Sequence, residues 1–292
     1  MNAQERREPD PAAPRKRTLR NATLLISGGS RGIGLAIALR AAADGADIVL
    51  LAKTDAPHPR LEGTVHTAAE QIRDAGGRAL PVVGDVRDDA DIARAVHLAV
   101  REFGGIDAVV NNASAIDLST TRELSEKKYD LMQDVNVRGT FMLARAALPA
   151  LLEAENPHVL SLSPPLNLSP KWLGAHTGYT LAKYGMTLAT LGIAAEFAPQ
   201  GVAANTLWPR TTIATAAVKN LLGGERVMAA SRTPEIYADA AYEVLTAPAR
   251  ELTGRTLIVE EVLAEAGITD LAGYAAIPGT PDESLFPDIF LD

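Results

Sequence analysis

The chain has 292 residues, 47% hydrophobic and 22% charged, with a formal net charge of -8 at pH 7. That length fits one large α/β domain with a full core, and the acidic balance argues against nucleic acid or an anionic membrane surface as a partner. With no cysteine, disulfides, thiolate metal sites and a cysteine nucleophile are excluded; no apolar run reaches the roughly 18 residues of a membrane span.

Residues 1–20 are charged, proline-rich and almost without large apolar side chains, the composition of a disordered tail. Arg6-Arg7 is not followed by an apolar stretch, and Glu5, Glu8 and Asp10 oppose a presequence, so a cytoplasmic location is expected. Residues 23–27 form a short apolar run, read as a buried parallel strand. It enters the glycine turn Gly28-Gly-Ser-Arg-Gly-Ile-Gly34 and then an alanine-rich helix over 35–43. Strand, glycine turn and helix in that order aim backbone N–H groups and a helix N-terminus at a phosphate. Residues 47–52 are the second strand, with Lys53 at its end. In a dinucleotide fold that position faces the adenosine ribose. A basic residue there, with Arg31 in the glycine turn, suits the 2′-phosphate of NADP rather than the bare ribose of NAD.

Residues 55–66, with Pro57 and Pro59, form a long loop, and 67–75 a helix ended by Gly76-Gly77. The third strand, 79–83, is followed by Asp85, which either accepts from an adenine amino group or caps a turn. An amphipathic helix over 88–103 leads to strand four, 106–110, and to Asn111-Asn112-Ala113-Ser114, small and amide residues that let a cofactor pass close by. The long helical pattern of 125–152 contains Asn136 and Gly139, which oppose helix propensity and mark a kink or a site. Strand five, 158–163, is stopped by Pro164-Pro165. The loop 166–176, with its leucines and Trp172, reads as an apolar lid or pocket wall.

The helix over 177–197 carries Tyr179 and Lys183, four apart and therefore on one face. A phenol so placed can give or take a proton while the ammonium stabilises the phenolate; alone, its pKa of about 10 is too high for work near neutrality. The helix is apolar on most faces, as for a buried element or a subunit interface. His176, three residues before Tyr179, reads as a capping or pocket-wall residue, and the five histidines show no ligand spacing, so no metal site is expected. Strand six, 202–207, runs into Trp208-Pro209-Arg210-Thr211-Thr212; helices over 215–222 and 233–245 and a seventh strand over 257–260 follow. The tail, 263–292, contains Phe286 and Phe290 and is expected to pack on the domain of 21–262. Six β-α repeats imply a single doubly wound α/β domain, about seven parallel strands with helices on both faces.

Residues 24–260 resemble the short-chain dehydrogenase/reductase family, through Gly28, Gly32, Gly34, Asp85, Asn111-Asn112-Ala113, Asn136, the pair Tyr179 and Lys183, and Pro209. The resemblance implies a Rossmann-type fold, a homodimer or homotetramer, and hydride transfer between a nicotinamide and a carbonyl or secondary alcohol. Tyr179 would be the general acid/base, Lys183 would lower its pKa and bind the nicotinamide ribose, and Asn136 would hold a water in a proton relay. Gly28, Ser30, Gly32, Ile33 and Gly34 would receive the pyrophosphate, and Arg31 and Lys53 the 2′-phosphate. Asp85 and Val86 would meet the adenine, Asn112 and Ala113 its ribose, and Pro209 and Thr212 the nicotinamide side. The apolar 166–173 stretch favours a hydrophobic, lipid- or acyl-like small-molecule substrate.

Three positions depart from the family pattern. The gapless register puts Pro164 where the family has a catalytic serine; Ser163 is one residue early, on the opposite face of a strand unless the prolines bend it. Arg210 replaces a glycine and adds a cation that could meet an acidic substrate group. Ser114 replaces a glycine and could donate to substrate. These departures leave open a regulatory protein that binds NADP with weak or no turnover, and also reduction of a C=N or C=C bond.

Overall fold

A computed structural model describes residues 18–57 and 63–292. Most of the expected disordered tail and Pro59 of the expected long loop lie outside the described residues. The chain order is β1 (Thr23–Ser27), α1 (Gly32–Ala42), β2 (Asp47–Ala52), α2 (Val65–Asp74), β3 (Arg78–Val83), α3 (Asp89–Phe103) and β4 (Ala108–Asn111). Then come α4 (Glu126–Met132), a π-helical turn (Gln133–Arg138), α5 (Gly139–Leu151), β5 (His158–Ser161), α6 (Pro170–Ala175) and α7 (Thr177–Phe197). The last elements are β6 (Ala203–Trp208), a second π-helical turn (Val218–Gly223), α8 (Gly224–Ala229), α9 (Pro234–Thr246), β7 (Thr256–Ile258) and α10 (Val259–Glu265).

All seven strands are parallel, in the order β3-β2-β1-β4-β5-β6-β7. Strand order reverses between β1 and β4, so helices cover both faces and a crevice opens at the carboxyl ends of these two strands. The alternation of side chains splits the core in two. Leu24, Ile26, Ile48 and Leu50 face α1 and α9, while Leu25, Val49, Leu51 and Val109 face α3, α5 and α7. The five inner strands, β2, β1, β4, β5 and β6, are buried on both faces, which explains why they read as continuous apolar runs rather than alternating ones.

The expected helix over 125–152 is interrupted at the residues that oppose helix propensity. The wide turn Gln133–Arg138 holds Asn136 with no exposed surface, a bulge of the kind found where a side chain must leave the regular helical ladder. Strand five is two residues shorter than expected. It ends at Ser161, and Ser163 N–H donates to Ser161 O at 3.0 Å in a tight reversal ahead of Pro164. The expected strand over 257–260 ends at Ile258, where α10 begins. Among the described residues no helix is long and apolar enough to cross a membrane, and no group of three or more His, Asp and Glu could hold a metal ion.

Candidate active site

The glycine turn and the end of β4 are clamped together. The register pairs Ser27 with Asn111, so the two strand ends stand level. Ser27 Oγ accepts from the N–H groups of Asn112 at 3.2 Å and Ala113 at 3.1 Å. Asn112 Nδ2 donates to Ser27 O and Gly28 O, both at 3.0 Å. The approach is close enough to require glycine at two positions. A Cβ on Gly28, whose φ is +69°, would stand 2.9 Å from Ala113 Cα, and one on Gly34 would stand 2.5 Å from Asn112 Nδ2. Arg31 is the N-cap of α1 and its side chain does not cap the helix, an end whose N–H groups can meet an anion. Ser30 is buried in the turn, and Ile33 half-buried on α1.

Beside this cradle lies a cluster of charge. Lys53 Nζ is 3.6 Å from Asp85, and Arg87 holds the same carboxylate through Nε at 3.0 Å and Nη2 at 2.7 Å. Burial pushes the Asp85 carboxyl up, but the Arg87 hydrogen bonds and the Lys53 charge outweigh it and hold the group below its ordinary range. Arg31 Nη2 donates to Gly63 O at 2.7 Å, and desolvation lowers its pKa. Lys53 and Arg87 thus share one carboxylate, while Arg31 is held at Gly63. Asp85 is committed to Arg87, and Val86 is buried beside it.

Tyr179 and Lys183 lie on the buried face of α7, 3% and 4% exposed. Lys183 Nζ donates to Leu162 O at 2.8 Å and lies 5.3 Å from the centre of the Trp208 ring. Burial lowers its pKa to about 7, with Asp288 opposing. The Tyr179 phenol is pushed up, first by burial and then by the Asp288 carboxylate, while a hydrogen bond with Ser114 pulls the other way. Burial raises Asp288 to about 7, against the Ile289 N–H and Lys183. Asn136 is pinned: its Oδ1 accepts from Ala115 N–H at 2.7 Å and its Nδ2 donates to Ala115 O at 3.0 Å. It thus ties the helix break to the chain that carries Ser114.

Ser163 is not brought to the phenol. Its Oγ accepts from Thr187 Oγ1 at 3.0 Å, and the same hydroxyl lies 2.7 Å from Pro164 O. Thr187 is eight residues along α7 from Tyr179, about 12 Å at 1.5 Å per residue. The reversal after Ser161 sets this hydroxyl against Thr187 on α7, a packing contact. Arg210 also turns away: its guanidinium pairs with Glu261 and its N–H donates to Glu260 at 2.9 Å. His176 Nδ1 is 2.7 Å from Leu118 O, in keeping with a wall residue. Thr212, next in the loop after Pro209, is buried; its hydroxyl lies 2.7 Å from Ser231 Oγ. Sequence reasoning missed Asp288 and Trp208 as neighbours of the pair, and nothing local to either residue signals it.

The short chain dehydrogenase family model matches residues 22–225. The chain belongs to the short-chain dehydrogenase family. It is 52% identical over 274 residues to hydroxysteroid dehydrogenase-like protein 2 of Danio rerio. That match covers 94% of this chain and 65% of the fish protein, so the chain spans just under two thirds of the relative's length. A crystal structure of a short chain dehydrogenase from Mycobacterium thermoresistibile is 56% identical, covering 94% of this chain and 96% of that one, with a TM-score of 0.88. The crystal structure of carveol dehydrogenase from Mycobacterium avium in complex with NAD shares the fold: TM-score 0.72, 22% identity, 83% of this chain and 97% of that one covered. As a short-chain dehydrogenase the protein belongs to a family of oxidoreductases that use a nicotinamide cofactor.

Proposed function

We propose that the protein is an NADP-dependent oxidoreductase that transfers hydride between the nicotinamide and a carbonyl or secondary alcohol of an apolar small molecule. The observation that carries this reading is the buried Tyr179 and Lys183 pair on a helix beside a cradle that a Cβ would fill at Gly28 and Gly34. The cradle would take the pyrophosphate on the N–H groups of α1, and Asn112 and Ala113 would flank the adenine ribose. Lys53, Arg31 and Arg87 would meet the 2′-phosphate, three cations where NAD offers only a hydroxyl. The cofactor, when bound, supplies the hydride.

The chain's own residues handle the proton. Burial keeps the Tyr179 phenol protonated through neutral pH, which suits it to donate to the oxygen of a carbonyl as hydride reaches the carbon. Lys183, poised near neutrality, supplies positive charge beside the phenolate that remains. Asn136 holds the backbone around Ala115 and Ser114 in place, and Ser114 is the hydroxyl that meets the phenol. Leu168 in the loop after β5 and Trp172 and Leu173 on α6 favour an apolar substrate. Exposed Leu181 and Leu188 on α7 and Phe141 on α5 support a homodimer or homotetramer, readable by light scattering. A cytoplasmic location is part of the same reading and is tested by cell fractionation.

Two variants test the proposal. Tyr179→Phe should lower carbonyl reduction by about 10²–10⁴-fold and leave NADPH binding as in the parent. Lys53→Asp should reverse the preference between NADPH and NADH. A parent protein that binds NADPH yet reduces nothing across a panel of aldehydes and ketones would overturn the enzymatic reading.

A further inference from the structure

Residues 285–292 form a strap across the two loops that flank Tyr179. On one side it is tied to the segment after β6: Phe286 N–H donates to Ala230 O at 2.7 Å, Thr212 N–H to Phe286 O at 2.9 Å, and Asp288 N–H to Arg210 O at 2.9 Å. Thr211 and Pro287 pair as an antiparallel bridge between these bonds. On the other side it is tied to the loop after β5. Asn167 Nδ2 donates to Phe290 O at 3.2 Å and to Asp292 at 2.9 Å, and Trp172 Nε1 donates to Asp292 at 3.1 Å. Trp208 Nε1 holds Ile289 O at 3.0 Å in the middle.

Between these ties one ring is driven inward. Phe290 is 1% exposed, and its centroid lies 6.0 Å from that of Tyr179, with the planes 28° apart. Tyr184 is at 5.3 Å, Trp172 at 6.0 Å and Trp208 at 6.1 Å. The chain has two tryptophans, and both touch this ring. Phe290 adopts φ +74°, a left-handed backbone that a bulky residue holds only where its surroundings over-determine it. Strain spent on turning an aromatic side chain toward a reacting group points to a role in the site.

We propose that Phe290 is a specificity-determining residue: its ring closes the substrate side of the Tyr179 site and sets the size of the carbonyl compound that reaches the phenol. The inference rests on Tyr179 being the proton donor. Four aromatic side chains, Tyr179, Tyr184, Trp172 and Trp208, pack around the ring, so the site would take small apolar carbonyl compounds, and room for a longer chain would come by shortening or displacing Phe290. The strap also brings Asp288, whose carboxylate opposes ionisation of the phenol, so the closed strap favours the protonated donor.

The test uses the whole chain with Phe290→Ala, Phe290→Leu and Tyr179→Phe, and compares butan-2-one with decan-2-one. Apolar pockets discriminate by about 10–200-fold for a methylene-scale change in fit. Phe290→Ala should therefore raise the ratio of kcat/KM for decan-2-one over butan-2-one by about tenfold or more, and Phe290→Leu should raise it less. The same ratio is read from binding, through the fluorescence of Trp172 and Trp208, so the result does not depend on turnover. Phe290→Leu keeps most of the buried volume and carries the test if the alanine variant does not fold. Unchanged ratios in both variants, with Tyr179→Phe inactive, would overturn the role of Phe290 alone. Full turnover by Tyr179→Phe would overturn the role of Tyr179, while the binding ratio would still decide that of Phe290.

Discussion

Gly28→Ala probes the proposed cofactor cradle directly. Gly28 sits at φ +69°, and a Cβ there would lie 2.9 Å from Ala113 Cα and 3.1 Å from Ala113 N. The left-handed backbone costs about 1–2 kcal/mol for any residue with a Cβ. The contact adds to this, because Ala113 cannot move away: its N–H is held on Ser27 Oγ at 3.1 Å. Overpacking of that kind costs about 1–3 kcal/mol, for a total of about 2–5 kcal/mol. Gly104→Ala is the control. Gly104 is also left-handed, at φ +92°, but nothing stands within 4 Å of its Cβ position, so it should lose only the backbone part. The excess for Gly28→Ala corresponds to roughly 2–12 °C in Tm, measured by scanning calorimetry on both variants. Fluorescence titration should show NADPH binding weakened about tenfold or more, some 1.4 kcal/mol, in Gly28→Ala and unchanged in Gly104→Ala. Equal melting temperatures and equal NADPH affinities in the two variants would refute the close approach of β1 and β4 as the basis of the cradle.

Two further outcomes are expected. Ser163→Ala should cost about 0.5–1.5 kcal/mol of stability for the bond to Thr187 and leave kcat near that of the parent; a hundredfold loss of kcat would place Ser163 at the substrate after all. Asp288 faces Lys183, Tyr179, Tyr237 and Glu260, and burial raises its pKa to about 7. A raised carboxyl binds more protons in the folded than in the unfolded chain, so its contribution is present below about pH 4 and is lost as pH rises through about 7. The Tm of the parent relative to Asp288→Asn should therefore fall between about pH 4 and pH 7, and a difference that stays constant would contradict the burial argument.

Features written in neighbouring residues were legible from the sequence alone. Apolar runs separated by helical patterns specify a parallel doubly wound sheet, because a strand buried on both faces has no polar alternation to hide. The turn from Gly28 to Gly34, Lys53 at the end of β2, and Tyr179 with Lys183 one helical turn apart each depend on spacings of a few residues. The helix break at Asn136 announced itself through propensity. What the tertiary structure decided is where side chains remote in sequence point. The direction of Ser163 depends on a reversal at Ser161 and a hydroxyl on Thr187, 24 residues later. Arg210 is claimed by Glu261, 51 residues away. Asp288 and Phe290 reach Tyr179 from more than a hundred residues along the chain, and no local pattern encodes such a meeting, because it is set by burial of aromatic rings between two loops. That the pair shares one face of a helix could thus be read from its spacing, whereas the burial of both groups, and the ring packed against Tyr179, come only with the folded chain.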